Sequence, residues 1–473
     1  MEPPDGPGRE PDRVGTGSLP DDVVRELELL LAKEQADQRL PSLIVGLVRD
    51  GTLLWCGARG ATGSPGGRPP TSDTQYRIGS ISKTFTAVLV MRLRDEGAVD
   101  LADGIGEHLP EVAALPVTVG QLLSHTSGLQ AEPAGGWWER TPGMSFPDLV
   151  ASSVRPADLL CRPGRRFHYS NVGFAVLGEL AARKRSRPYG ELVRQELLQP
   201  LGMDRTSPRP EAPCAGGLAV HPHADVVLAE PEHDAVAMAP AGQLWSTVDD
   251  LVRWSTVLAG KRPDILNAAT VDEMAEPIAL ADLPGQPWTA AYGLGLQVSN
   301  RAGQRAFGHL GAMPGHWAVL LLDQATEDGV VAFANSTYQG MRPAFVEDLF
   351  GVLARRYPRP VEAFHPTVVP SPRLQELLGA WYWGPVEYRM VIDRAGELVL
   401  RGSGPGLDCR FRSGPDETFT GRDGYFAGER LHVHRQVDGS VSHLEVATFV
   451  LTRAPYEANA VIPGGVDPAG WRV

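Results

Sequence analysis

The 473-residue chain is long enough for two or three domains, and its 42% hydrophobic and 21% charged composition is that of a globular protein with sizeable cores. A net charge of −13, with no basic run or stripe to offset it, excludes a nucleic-acid-binding surface. No early apolar stretch has the length of a signal peptide or membrane span, so a cytoplasmic protein with no membrane partner is expected.

The opening "MEPPDGPGREPDRVGTGSLPDD" is polar and rich in proline and glycine, and residues 1–20 are expected to form a disordered tail. From residue 21, "DDVVRELELLLAKEQADQ" has helical periodicity and an acidic start that suits the helix dipole. "SLIVGLVRDGTLLWCGARG" follows as two apolar runs joined by Asp50-Gly51, a hairpin signal. Residues 77–270 read mainly as helices and long loops. Then "YGLGLQV", "RAFGHL", "HWAVLLLD" and "GVVAFAN" read as successive strands, with a helix near 341–356. Strands at both ends with helices between predict one α+β domain, an antiparallel sheet flanked by helices, over residues 21–358. A proline-rich linker occupies 359–370. Short strands broken by glycine and aspartate turns then predict a small antiparallel barrel or sandwich over 371–458, before a C-terminal tail at 459–473.

Within "RIGSISKTFTAVLVMRLRDEG" (77–97), Ser80 and Lys83 stand at the start of an apolar helix capped by Gly97. Lysine occurs only at Lys33, Lys83, Lys184 and Lys261, and arginine supplies nearly all other positive charge. Unlike arginine, a desolvated lysine loses its proton, so position 83 reads as one that needs an amine. Neutral Lys83 would be a base for the Ser80 hydroxyl, and a helix start would stabilise an oxyanion there. Ser82 has Phe85 at its i+3 position and offers no such pair. A chance S-x-x-K at a capped helix is the competing reading.

Two further elements bear polar groups. Tyr169-Ser170-Asn171 precedes a helix near Val172; the phenol is placed to share a proton with Lys83 and the amide to hold a substrate carbonyl. Core packing and helix capping explain them equally well one at a time. His309-Leu310-Gly311 lies on an expected edge strand, where Gly311 allows close backbone approach. The His309 ring is suited to bind a carboxylate, assist proton transfer or satisfy a hydrogen bond.

The segments "YRIGSISKTFTA", "LLSHTSGL", "PGRRFHYSNVGFAVLGEL", "PLGMDRTS", "APAGQLWSTVDDLVRW" and "FGHLGAMPG" occur in the order of the penicillin-binding-protein and serine β-lactamase superfamily. Residues 40–350 resemble its class C-like esterase and peptidase branch. That resemblance implies the β-lactamase/transpeptidase-like fold with an all-helical subdomain. It implies Ser80 as nucleophile, Lys83 as its base, Tyr169 as proton shuttle, Asn171 as substrate-orienting amide and His309 in place of the lysine usual in β-lactamases. The amides of Ser80 and of Ala312, after Gly311, would form the oxyanion hole. The expected substrate is a small-molecule or peptide ester or amide, cleaved through an acyl-Ser80 intermediate, with no cofactor and no metal. His309 and Leu310, in place of the family's lysine and hydroxyl residue, imply weak affinity for the carboxylate of a β-lactam. The C-terminal module resembles the lipocalin-like domain of some members. The resemblance also extends to peptide-cyclising thioesterases that transfer an acyl group to an amine, and a non-catalytic binding protein on the same fold is a third alternative.

Other candidates carry less. His125, Thr126 and Ser127 in "LLSHTSGL" read as a hydrogen-bonded turn. His221, His223 and His233 in "HPHADVVLAEPEHD" match no zinc spacing. Trp137 and Trp138 suit an acyl pocket or a packed lid equally, and His316 reads as a turn histidine. "GARGATGSPGGRPP" lacks the Gly-Lys-Ser/Thr ending of a phosphate loop. Cys56, Cys161, Cys214 and Cys409 form no C-x-x-C or metal pattern and read as reduced thiols.

Overall fold

The computed structural model describes residues 19–456 except 64–66, 283, 302, 338, 361–371, 394–395, 403, 405–407 and 415–417. The N-terminal tail before 19, most of the 359–370 linker and the C-terminal tail from 459 lie outside the described residues. The chain divides into two compact units, one ending at Pro360 and the other beginning at Val361.

The first unit starts with helix α1 (Asp21–Asp37), then strands β1 (Ser42–Arg49) and β2 (Thr52–Gly60). Asp50 and Gly51 both take positive φ, 54° and 75°, the geometry a two-residue hairpin with right-twisted strands requires. Helices α2 (Ser82–Asp95), α3 (Asn171–Arg185) and α4 (Val248–Leu258) belong to the intervening segment. The chain returns to the sheet with β3 (Ala279–Leu280), β4 (Ala290–Tyr292), β5 (Gln297–Arg301), β6 (Gln304–Met313), β7 (His316–Asp323) and β8 (Gly329–Ala334), and then forms α5 (Pro343–Arg356).

The eight strands run in the order β2-β1-β8-β7-β6-β5-β4-β3, so N-terminal and C-terminal strands meet at β1 and β8 with Leu43 opposite Ala334. Both faces of β1 are buried, which its unbroken apolar run dictates. One face packs on α1 and α5 through Leu27, Leu31, Phe345 and Leu349; the other packs on α2, α3 and α4. Glu34, fully buried on α1, accepts from the Arg342 amide, Nε and Nη2 at 2.7, 2.8 and 2.6 Å, and so fixes the start of α5.

One expected strand is broken. "YGLGLQV" divides into β4 and β5 at a turn in which Gly293 N donates to Leu296 O and Gly295 takes φ 81°. A Cβ on Gly295 would come within 2.2 Å of Ala87 on α2, so glycine both reverses the chain and lets it touch the central helix.

The second unit is a closed eight-stranded antiparallel barrel in up-and-down order: β9 (Gly379–Trp383), β10 (Val386–Ile392), β11 (Leu398–Arg401), β12 (Cys409–Ser413), β13 (Thr418–Gly421), β14 (Arg430–Arg435), β15 (Val441–Val446) and β16 (Phe449–Thr452). Trp381, Met390, Leu400, Phe411, Leu431 and Leu444 fill its interior. Closure removes exposed strand edges, so the small domain needs no covering helix. All four cysteines are free, and among the described residues no helix is long and apolar enough to cross a membrane.

Candidate active site

Ser80 lies in a single 3₁₀ turn, Gly79–Ile81, that leads directly into α2. Lys83 is therefore on the first turn of a helix whose residues 82–91 are all buried, and its side chain is fully enclosed. Lys83 Nζ lies 2.9 Å from Ser80 Oγ and donates to Asn171 Oδ1 and Ala241 O, both at 2.6 Å. Burial lowers the Lys83 ammonium from its usual range to about 7, against the opposing pull of the Glu132 and Glu139 carboxylates. Ser80 itself stays partly open to solvent.

Nζ faces three oxygens, Ser80 Oγ among them, and an ammonium can donate to all three. With its pKa lowered to about 7, loss of one proton leaves two N–H groups for the two carbonyl oxygens, which can only accept, and a lone pair for the Ser80 hydroxyl. The Tyr169 phenol is pushed well up by burial, although hydrogen bonds with Ser80 and Tyr292 act against this. Lys83, not Tyr169, is thus the group able to take a proton near pH 7. The Tyr169 ring lies beside the amine, with its centroid 4.9 Å from Lys83 Nζ.

Asn171 is the first residue of α3, behind the N-cap Ser170, whose Oγ accepts from Gly173 N at 3.0 Å. Both ends of its amide are engaged: Oδ1 by Lys83, and Nδ2 by Glu132 Oε1 at 2.7 Å. Glu132 Oε2 accepts from Trp138 Nε1 at 2.7 Å. The substrate-orienting amide of the sequence reading is therefore also the clamp that holds the lysine.

β5 pairs with β6 only as far as Gly308, so the edge from His309 to Met313 is left free of β5 and faces the Ser80 turn. The approach is close on both sides. A Cβ on Gly311 would lie 2.0 Å from Ile78 O and 3.3 Å from Ser80 N; one on Gly79 would lie 2.7 Å from Ala312 N. Only glycines allow these backbones to meet, and the segment carrying Ala312 packs directly against the Ser80 turn.

His309 is enclosed, and burial, reinforced by the Lys83 charge, lowers its imidazole to about 3. Its Nδ1 pairs with Leu310 O, which can only accept, so Nδ1 carries the proton and Nε2 accepts from the Tyr292 hydroxyl. This fixed neutral ring is not a cationic carboxylate binder. Leu310 is 42% exposed and donates its amide to Gln297 Oε1 at 2.8 Å.

Sequence reasoning missed Tyr292 and Glu132. Tyr292 is an aromatic residue at a strand end, and nothing in the sequence links it to His309. Glu132 follows the "HTSGL" turn with no spacing signature. His125 does form a turn, at φ 55°, and its ring stacks on Tyr169 with centroids 4.3 Å apart while Nδ1 accepts from Ser170 N at 3.0 Å. It braces the tyrosine. Trp138 is buried and Trp137 exposed; His316 is enclosed between Tyr76 and Trp245. His221 and His223 stand in an exposed loop, and residues 64–66 of the glycine-rich segment lie outside the described residues. A cavity of about 390 Å³ beside the site is lined by Phe167, Tyr169, Tyr292, Leu310, Val319 and Phe350 among others, mostly apolar surface.

Residues 27–349 match the family described as Beta-lactamase. The chain belongs to that family. Residues 370–453, the barrel, match a family described as a domain of unknown function, DUF7586. Among relatives of this β-lactamase-family chain, Beta-lactamase-like protein 2 of Dictyostelium discoideum is 26% identical over 59% of this chain and 55% of its own length. Penicillin-binding protein 4 of Amycolatopsis lactamdurans is 28% identical over 72% of this chain and 92% of its own. The match thus spans about half of the first relative and nearly all of the second. The octameric penicillin-binding protein homologue from Pyrococcus abyssi superposes with TM-score 0.63 at 20% identity, over 91% of this chain and 100% of that one. D-amino acid amidase from Ochrobactrum anthropi SV3 superposes with TM-score 0.58 at 25% identity, over 70% and 98%.

Proposed function

We propose that this chain is a serine hydrolase that cleaves a small ester or amide, or a peptide, through an acyl-Ser80 intermediate. The observation that carries the reading is the enclosed Lys83 amine, lowered to about 7 and 2.9 Å from Ser80 Oγ, whose other two hydrogen bonds go to carbonyl oxygens. Neutral Lys83 takes the Ser80 proton as Oγ attacks the substrate carbonyl. The Ser80 and Ala312 amides stabilise the oxyanion, and Tyr169 passes its phenol proton to the leaving group while taking the proton held by Lys83, so that both groups end acylation neutral. Water then attacks the acyl-enzyme by the reverse relay, releasing acid and restoring Ser80.

The neutral His309 and the apolar Leu310 favour substrates without a carboxylate at that edge. Glu132 adds negative charge next to Asn171 and suits an amino group on the acyl part. The apolar cavity accommodates a hydrophobic side chain. The likeness to D-amino acid amidase supports the same substrate class. The test is a matched set of D- and L-aminoacyl amides and esters, with benzylpenicillin, assayed on wild type and Ser80→Ala. Turnover of an aminoacyl substrate that is lost in Ser80→Ala and exceeds penicillin turnover supports the reading. Turnover retained in Ser80→Ala, or penicillin as the best substrate, overturns it.

A further inference from the structure

Across the outer face of the barrel, β14 and β15 are antiparallel neighbours, with His434 opposite His443 and His432 opposite Glu445. Side chains alternate along each strand, and Leu431 and Leu444 point into the barrel core. The alternation turns His432, His434, His443 and Glu445 outward on one two-strand patch. The His434 and His443 rings stack with centroids 4.4 Å apart and planes 8° from parallel. His434 Nε2 is 3.0 Å from Glu445 Oε2, and His443 Nδ1 is 3.0 Å from Ser442 Oγ. Ligand atoms of His434, His443 and Glu445 all lie within 4.8 Å of one another, the only such trio among the described residues.

We propose that His434, His443 and Glu445 form a binding site for a zinc-like divalent cation, with His432 or water completing its shell. Two imidazole nitrogens and one carboxylate oxygen are the donors that Zn²⁺ takes, and they disfavour Ca²⁺ and Mg²⁺, which require oxygen ligands. Metal–ligand distances of about 2.0–2.2 Å place tetrahedral donors roughly 3.3 Å apart. The strand ladder fixes the Cα positions of these residues, so binding requires the stacked His434 and His443 rings to rotate until their nitrogens, already within 4.8 Å of each other and of Glu445, face one point. With Nδ1–H of His443 donating to Ser442 Oγ, its Nε2 lone pair is left for the metal, the usual division of roles for a ligating histidine. The cation replaces the hydrogen bond between His434 and Glu445 and ties β14 to β15.

The experiment is calorimetric titration of metal-stripped full-length protein with ZnCl₂, and melting with and without the ion. One Zn²⁺ per chain at micromolar Kd and a raised Tm are expected. His434→Ala and His443→Ala should each weaken binding by about tenfold or more, and Glu445→Gln by less. Because these side chains face outward, the zinc-free melts of the variants should match the wild type. Cobalt(II) added to wild-type protein gives a readout independent of any variant, the intense visible absorption of a four-coordinate ion. Absence of zinc binding, binding unchanged in the His434→Ala/His443→Ala double variant, or only the pale spectrum of aquo-cobalt would each overturn the proposal.

Discussion

Lys83 Nζ lies 2.9 Å from Ser80 Oγ, one helical turn away and fully enclosed beneath it. That single contact joins the fold to the chemistry, because the same apolar helix that builds the core also lowers the amine to about 7. Below that pH, Lys83 is protonated and has no lone pair, so the acidic limb of kcat/KM should turn near pH 7 and fall tenfold per unit beneath it. Glu132 opposes the burial effect, so Glu132→Gln should lower the Lys83 value further and move the limb to more acidic pH. A limb that moves upward would contradict this assignment.

Lys83→Arg keeps the positive charge but cannot supply a neutral amine. Activity should fall by about 10³-fold or more at every pH tested, without recovery on the alkaline side. Recovery at high pH would show that the base is another group.

Gly311→Ala places a methyl group 2.0 Å from the Ile78 carbonyl, a contact that only backbone movement relieves. The free edge of β6 should part from the Ser80 turn and kcat should drop by roughly 10²-fold, the loss expected when an oxyanion donor is misplaced. KM should change much less, while the melting temperature should fall with the strain of the displaced backbone. An unaffected kcat would remove Ala312 from the oxyanion hole.

Tyr292→Phe deletes the donor to His309 Nε2 and leaves a buried acceptor unpaired. Stability should decline by about 1–3 kcal/mol in denaturant titration. Freed orientation of His309 and Tyr169 should slow kcat by roughly 10–100-fold. His309→Asn is a companion variant, and a double-mutant cycle should show strong coupling between the two positions.

Glu34→Gln weakens the buried carboxylate cap on Arg342 at the opposite face of the sheet. The expected cost is about 1–3 kcal/mol of stability with kcat unchanged within about twofold. This variant separates loss of fold from loss of chemistry in the comparisons above.

What the sequence disclosed followed the range of each signal. The Asp50-Gly51 hairpin and the alternating strands of the barrel are local patterns, and both are present; Ser80, expected at the helix start, lies in the 3₁₀ turn just before α2. Gly293 and Gly295 are hidden inside an apolar run that has the pattern of a strand, because periodicity does not register a turn packed against α2. Contacts such as Asn171 with Glu132, 39 residues apart, and Tyr292 with His309, 17 apart, come from tertiary packing and leave no spacing in the chain. The double duty of Asn171 was likewise invisible, since only the fold brings Lys83 and Glu132 to opposite ends of one amide.

The most direct test of the account is intact-mass spectrometry of the protein after treatment with a fluorophosphonate probe. One adduct per wild-type chain, mapped to Ser80 and absent in Ser80→Ala, is the expected result. No adduct on the wild type, or an equal adduct on Ser80→Ala, would contradict it.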